Sequence, residues 1–305
     1  VSGRRIAWVG ADGALGKVLA PALGAHPVTL RCPDLGDTSP VPELGAFDAV
    51  IHAGGPRVHP GLGWGDYLRE HVGTTATVAR SMRPGAHLVL VSSAAVYGSG
   101  RGDVNDATAP RPDTFPVPAY AWAKLVAEDT ARAHAAARGL ALTIVRPSII
   151  YGPGAGGVLL TLRDLARRGV CVELRPAGTR QHLLHVDLFR RVLERITEAA
   201  APSTPELYTL ADPFVVATSE LNAVYAAESP RAPRVPVPVG LVADGLRAWQ
   251  RRTGREVPGP VAVAAMLGLD NVYDARGSLD RLGIDAAPFG RDKFDAFLGL
   301  PGPSV

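Results

Sequence analysis

The sequence predicts an α/β protein, with a doubly wound parallel sheet and a smaller α/β part after it. Three observations predict this. Short apolar runs alternate with helical stretches through the first 150 residues. A strand, a glycine turn and a helix open the chain in that order. After Tyr151 the alternation weakens, and proline-rich segments and helices take over.

The run Arg5-Ile6-Ala7-Trp8-Val9 is the first strand, and Gly10-Ala11-Asp12-Gly13-Ala14-Leu15-Gly16 follows it directly. Lys17–Leu23 reads as a helix in which Pro21 must sit early or cause a bend. In this context the glycines let the backbone approach a pyrophosphate, and the helix N-terminus offers it unpaired N–H groups. The competing reading is a βα turn that binds nothing. Its place straight after a strand favours the dinucleotide, so the sheet is expected to be Rossmann-like. Gly10, Asp12, Gly13, Ala14, Leu15 and Gly16 are the first candidate cofactor-binding residues.

Val28-Thr29-Leu30 reads as the second strand. The residue after it usually selects the cofactor: a carboxylate holds the adenosine 2′-hydroxyl, whereas an arginine accommodates a 2′-phosphate. Arg31 stands there, which favours NADP, while Asp34-Leu35 lies close enough to restore NAD. The stretch to Phe47 is too short and proline-rich for a full helix–strand–helix unit, so the fold is expected to be trimmed there. Asp48–Ala53 is the next strand, and Ala53, Gly54 and Gly55 are small enough to let a cofactor lie close. A helix spans Asp66–Met82. The apolar run His87–Ser92 is a central strand that delivers Ser93 at its carboxyl end, where open α/β sheets place their chemistry.

A loop rich in Gly, Pro and Asp leads to a helix over Ala119–Arg138, and Leu142–Arg146 is a β-type run closed by Pro147. Beyond Tyr151 the sequence predicts a helix near Leu159–Arg168 and a strand at Val170–Leu174. The stretch Gly178–Asp187 then leads into a helix reaching about Ala199, and Leu207–Leu210 returns to the sheet. A proline-rich segment at 230–240 and helices near 240–252 and 260–268 complete the chain.

The chemistry centres on Tyr120-Ala121-Trp122-Ala123-Lys124. On a helix, Tyr120 and Lys124 share one face a turn apart. A free phenol has a pKa near ~10, and a neighbouring ammonium lowers it towards the range of a general acid/base. Taken alone, the pair also fits an ordinary amphipathic helix, and only its surroundings decide between the two.

Four features stand in one order: Gly10/Gly13/Gly16, Ser93-Ala94-Ala95-Val96-Tyr97-Gly98, Tyr120/Lys124, and Arg146-Pro147 with Tyr151-Gly152-Pro153. Together they resemble the extended short-chain dehydrogenase/reductase family of NAD(P)-dependent epimerases, dehydratases and ketoreductases, over nearly the whole chain. The resemblance implies that Ser93 hydrogen-bonds the reacting oxygen and that Tyr120 exchanges its proton. It implies that Lys124 holds the nicotinamide ribose and lowers the tyrosine pKa. Pro147, Ser148 and Ile149 would lie near the nicotinamide, and the segment after Tyr151 would build the substrate pocket. Residues 1–150 with 183–212 would form the dinucleotide-binding domain, and 151–182 with 213–305 the substrate-binding domain.

Three departures from the family pattern bear on the reaction. His71 stands where asparagine is expected and either takes over its part in a proton relay or fills space. Ala94 and Ala95 replace the Asp-Glu pair of dehydratases, which argues against water loss by that route. Arg31 replaces an acidic residue. The implied function is a ketoreductase acting on a nucleotide-linked 4-keto sugar or a similar carbonyl compound, with Arg57, Arg180 and His182 as candidate substrate contacts beside Ser93. The alternatives are an NAD-dependent nucleotide-sugar 4-epimerase and, in another class, a non-catalytic dinucleotide-binding regulator, which the Tyr/Lys pair disfavours.

Composition sets the remaining bounds. With 305 residues and 47% hydrophobic content the chain can bury a full core. A net charge of +3 is mild, and no basic run is interleaved with aromatics, so nucleic acid is not an expected partner. The two cysteines, Cys32 and Cys171, suit a reducing compartment, and the scattered histidines predict no metal site. No apolar stretch is long enough to span a bilayer, and the chain enters a strand almost at once. A cytoplasmic homodimer, formed through the helices over 66–82 and 119–138, is the expected state.

Overall fold

Ile6-Ala7-Trp8-Val9 forms the first strand of a parallel sheet in a computed structural model that describes residues 3–30, 41–58, 62–155, 157–253 and 259–299. The first half of the chain gives β1 (Ile6–Val9), α1 (Ala14–Ala22), β2 (His26–Val28), β3 (Ala49–His52), α2 (Trp64–Leu68), α3 (Thr74–Ser81), β4 (His87–Val91), β5 (Arg101–Val104), α4 (Pro118–Arg138), β6 (Ala141–Pro147) and β7 (Ile149–Tyr151). The second gives α5 (Gly157–Arg167), β8 (Cys171–Arg175), β9 (Arg180–His185), α6 (Val186–Glu198), β10 (Glu206–Leu210), β11 (Val215–Ala217), α7 (Thr218–Glu228) and β12 (Arg234–Pro238). It closes with α8 (Val239–Thr253), α9 (Gly259–Leu267), β13 (Asn271–Tyr273), α10 (Arg276–Arg281) and α11 (Arg291–Leu298).

The main sheet has the order β10-β6-β4-β3-β1-β2, and every neighbouring pair is parallel. From β1 the chain steps out to β2 at one edge and then returns to β3 on the other side of β1. That reversal opens a crevice at the carboxyl ends of β1 and β3, where ligands bind in open α/β sheets. Every residue of β3 and β4 is buried, as expected of strands covered on both faces. Leu19 and Ala20 of α1 and Leu188, Phe189, Val192 and Leu193 of α6 pack on one face. Val78 and Ala79 of α3 and Ala131 and Ala135 of α4 pack on the other. A fully buried side chain such as Phe189 contributes about 1.5–3 kcal/mol.

The structure corrects several expected boundaries. β2 runs over His26–Val28 rather than 28–30: its pairing with β1 ends at Val9 and Val28, and the Thr29 hydroxyl turns to Asp12 at 2.7 Å. The helix expected over 66–82 starts at Trp64, where Asp66 Oδ2 accepts from Gly63 N at 3.1 Å. It is interrupted by a π turn at Arg69–Gly73. The strand expected at 170–174 is β8, and it pairs in parallel with β12 from the proline-rich segment, apart from the main sheet. A second sheet, β11-β9-β13-β5 with β7 alongside β9, was not foreseen. Its strand β9 occupies the stretch read only as a lead into α6. Around it gathers a further core that includes Tyr151, Leu162, Leu174, Val239 and Phe294. Arg31, Cys32, Asp34 and Leu35 lie outside the described residues. Among the described residues no helix is long and apolar enough to cross a membrane, and no group of three or more His, Cys, Asp or Glu could hold a metal ion.

Candidate active site

The glycine turn fills the crevice between β1 and β3. Gly10 has φ +91°, and a Cβ on it would lie 2.7 Å from Gly54 Cα. Two glycines from two strand ends therefore press backbone on backbone, which no larger residue permits. A Cβ on Gly16 would lie 2.5 Å from Gly10 O, so the first turn of α1 can sit directly on the loop. Gly13 precedes α1 without a side-chain cap, and no acidic residue occupies the first turn. The backbone N–H groups there retain the anion-binding character of a helix N-terminus.

The reacting groups are held by α4 against the end of β4. Pro118 stands at the first helical position, and Gly139 ends α4 in the left-handed conformation. Between them Tyr120, Lys124 and Glu128 recur every four residues on one face. Each meets the three-residue stretch at the end of β4. Tyr120 stands beside Ser93, whose hydroxyl acts on the phenol, Lys124 Nζ donates to Val91 O at 3.0 Å, and Glu128 Oε1 accepts from Ser92 Oγ at 2.6 Å. Ser93 is itself fixed, since its Oγ accepts from Ala95 N at 3.2 Å. Glu128 is fully buried and takes a two-pronged bond from Arg146 on β6, at 2.8 and 2.6 Å. The Arg146 guanidinium lies 4.7 Å from the centre of the Tyr97 ring. The ion pair thus ties α4 to both β4 and β6.

The electrostatics differ from the simple expectation. Burial pushes the Tyr120 phenol up to about 12, and the neighbouring Ser93 hydroxyl only partly opposes this. Burial lowers Lys124 to about 8 against the raising influence of Glu128. On raising the pH, Lys124 therefore loses its proton before the resting phenol does. The expected depression of the tyrosine pKa is reversed, because burial of the phenol is the largest influence on it.

These groups line a cavity of about 760 Å³. Of the expected cofactor residues, Ala14, Leu15, Ala53, Gly55, Tyr120, Lys124, Pro147, Ser148 and Ile149 reach it. Gly10, Asp12, Gly13, Gly16 and Gly54 shape the loops around it. Ser148 Oγ is buried without a hydrogen-bond partner in the cavity wall. Arg57 and His182 also line it, whereas Arg180 does not and stands 3.8 Å from Asp270. Ala94 and Ala95 are buried beside Ser93, and among the described lining residues Asp164 is the only carboxylate. No acid/base carboxylate pair follows Ser93.

Sequence reasoning missed the far wall, built by Met266, Asn271 and Tyr273. His182 Nδ1 accepts from Tyr273 N at 2.8 Å, and burial brings the ring down to about 4, so the neutral imidazole keeps its proton on Nε2. Asn271 Nδ2 lies within hydrogen-bond distance of Gln181 Oε1, Met266 O and Leu269 O, while Oδ1 is buried without a partner. The lone Asn271 before Val272-Tyr273 was the one local hint of this wall.

A model of the NAD-dependent epimerase/dehydratase family matches residues 8–209. The chain belongs to this family. It is an enzyme of the extended short-chain dehydrogenase/reductase type. No curated protein sequence matches it. Among solved structures, MoeE5 in complex with UDP-glucuronic acid and NAD is 20% identical with a TM-score of 0.71, covering 97% of this chain and 96% of that one. The UDP-glucuronic acid 4-epimerase of Bacillus cereus, with UDP-glucuronic acid and NAD, is 15% identical with a TM-score of 0.72, covering 97% and 98%. The human epimerase family protein SDR39U1 with NADPH is 17% identical with a TM-score of 0.67, covering 96% and 97%. At these identities the likeness is one of fold.

Proposed function

We propose that this family member is an NAD(P)-dependent ketoreductase acting on a nucleotide-linked 4-keto sugar or a similar carbonyl compound. The observation that carries the reading is that Ser93, Tyr120 and Lys124 share the wall of one cavity with Ala14 and Leu15 of the glycine turn.

The residues fit a dinucleotide. The Gly10/Gly54 contact and the uncapped start of α1 suit a pyrophosphate, and the unpartnered Ser148 Oγ offers a polar contact nearer the reacting groups. Lys124 and Tyr120 would complete the site. When bound, the cofactor supplies or accepts the hydride. The protein's own part is to hold the carbonyl oxygen between Ser93 and Tyr120, and to deliver the phenolic proton to it as charge develops there. Burial keeps the phenol protonated at neutral pH, as a proton donor must be. Arg31 favours NADP by its place in the sequence. Ala94 and Ala95 argue against dehydration.

A nucleotide-linked substrate is favoured by the nucleotide sugars bound to MoeE5 and to the Bacillus cereus epimerase. Arg57 is the one arginine among the described lining residues and would meet its phosphates. Those neighbours carry NAD, which supports the second reading, a 4-epimerase that retains its cofactor. A homodimer through the 64–81 helical segment and α4 belongs to the same proposal.

The test is to purify the protein, identify any bound nucleotide, and follow NADPH and NADH consumption with nucleotide-linked 4-keto sugars. Substrate-dependent consumption that falls ~10²-fold or more in Tyr120→Phe, with cofactor binding kept, supports reduction. Stoichiometric NAD retained through purification, with no net consumption, moves the assignment to epimerase.

A further inference from the structure

Tyr67 and His71 stand one turn apart on the helical segment from Trp64 to Ser81, and the π turn at Arg69–Gly73 carries the second of them. Such turns concentrate at functional sites. The two rings lie parallel, at 3° with centroids 6.2 Å apart. Each meets Tyr120 edge-on, Tyr67 at 5.8 Å and 76° and His71 at 5.6 Å and 77°. Their polar tips reach consecutive carbonyls of the loop after β3. His71 Nε2 is 3.1 Å from Pro56 O, and the Tyr67 hydroxyl is 3.5 Å from Arg57 O.

These contacts decide what the imidazole can do. A carbonyl only accepts, so His71 carries its proton on Nε2 and Nδ1 is bare. Gly55, at φ +105°, packs against Nδ1, and a Cβ there would overlap the ring. The groups acting on His71 are Lys124 from α4 and His52 from the end of β3, with Tyr67 and Tyr120 as ring neighbours. Burial, then the Lys124 charge, keep the imidazole neutral. A relay needs an exchangeable path at both nitrogens. Here one is committed to a backbone carbonyl and the other faces Gly55.

We propose that His71 is a positioning residue which, with Tyr67, forms a two-ring clamp tying the cofactor-side loop 54–57 to the ring of Tyr120. The proposal rests on the reading of Tyr120 as proton donor. The clamp makes the angle of the phenol depend on the seating of the loop, and its role is mechanical rather than that of a proton carrier.

His71→Phe and His71→Gln separate its two halves. Phenylalanine keeps a ring edge against Tyr120 and loses the donor to Pro56 O; glutamine can reach that carbonyl and loses the ring. NADPH and NADH are titrated into the wild type and both variants by quenching of tryptophan fluorescence, and turnover of a nucleotide-linked 4-keto sugar is measured at saturating cofactor. In H71F the larger loss falls on cofactor affinity, ~3–10-fold, as for one hydrogen bond. In H71Q it falls on kcat, ~10-fold or more, because the proton donor is misaligned. Equal cofactor affinity in the two variants overturns the proposal, as does an equal loss of both parameters in each. Should H71F melt too low to titrate, Tyr67→Phe, which removes only the hydroxyl at Arg57 O, repeats the loop arm: weaker cofactor binding supports the clamp and unchanged binding overturns it. If the wild type binds neither dinucleotide, the reading of the whole site fails, whatever the variants do.

Discussion

Replacing Glu128 by glutamine should damage the protein more than any exposed charge change. Glu128 is wholly buried, and Arg146, its two-pronged partner, is 3% exposed. Burial opposes the Arg146 charge, and the hydrogen bonds and charge of Glu128 more than offset it. Removing one member of such a pair strands the other in a region that solvates it poorly. The usual cost is about 3–5 kcal/mol, which for a chain of this size lowers the melting temperature by roughly 5–8 °C. Differential scanning calorimetry at neutral pH measures it directly. The double variant Glu128→Leu with Arg146→Met removes both charges, so it should lose less than half as much although Ser92 and Tyr97 each lose a contact. If E128Q melts within ~2 °C of the wild type, or the double variant falls as far as the single one, the ion pair is not what holds α4 against β4 and β6.

Two further outcomes follow from other parts of the structure. Gly10→Ala forces a Cβ to 2.7 Å from Gly54 Cα at a φ of +91°, so stability should fall by ~1–3 kcal/mol and dinucleotide affinity by more than ~10-fold, read by melting and by titration. His52 and His87 are lowered by burial from 6.5 to about 3 and about 4, so between these values and 6.5 the unfolded chain binds more protons than the folded one. Stability should therefore fall as the pH drops from 6.5 towards 4, and His87→Gln should flatten that slope in melts across the range.

The parts of this site that were legible in the sequence are those whose demands are local. Gly10 and Gly16 announce close backbone approaches between residues near in sequence or at strand ends. Pro118 and Gly139 bracket α4, which fixes Tyr120 and Lys124 on one face. The second sheet was not legible, because β5, β9, β11 and β13 are three to six residues long and pair across large sequence separations. Glu128 was hidden for a related reason. On an amphipathic helix it reads as solvated, and only Ser92 and Arg146, brought in from other strands, show that it is buried. The direction of the Tyr120 shift was misread because a nearby lysine is visible in the sequence, whereas the desolvating rings of Tyr67, His71 and Phe115 come from other segments.

Those opposed shifts have a kinetic consequence. At rest the same poorly solvating surroundings disfavour both the Tyr120 phenolate and the Lys124 ammonium, holding the one near about 12 and the other near about 8. During proton donation the phenolate forms one helical turn from Lys124, and the attraction between the two charges lowers the barrier only if the lysine is still protonated. Below about 8 it is protonated; above that value it is an uncharged amine while the phenol still holds its proton. In the reductive direction, kcat should therefore fall as the pH rises through about 8, with the basic limb set by Lys124 rather than by the tyrosine. Glu128 raises the lysine, so E128Q should move that limb to lower pH in whatever folded fraction remains. A wild-type profile that stays flat until the phenol itself ionises, or a limb that E128Q leaves in place, would show that Lys124 acts by holding the cofactor and not by its charge.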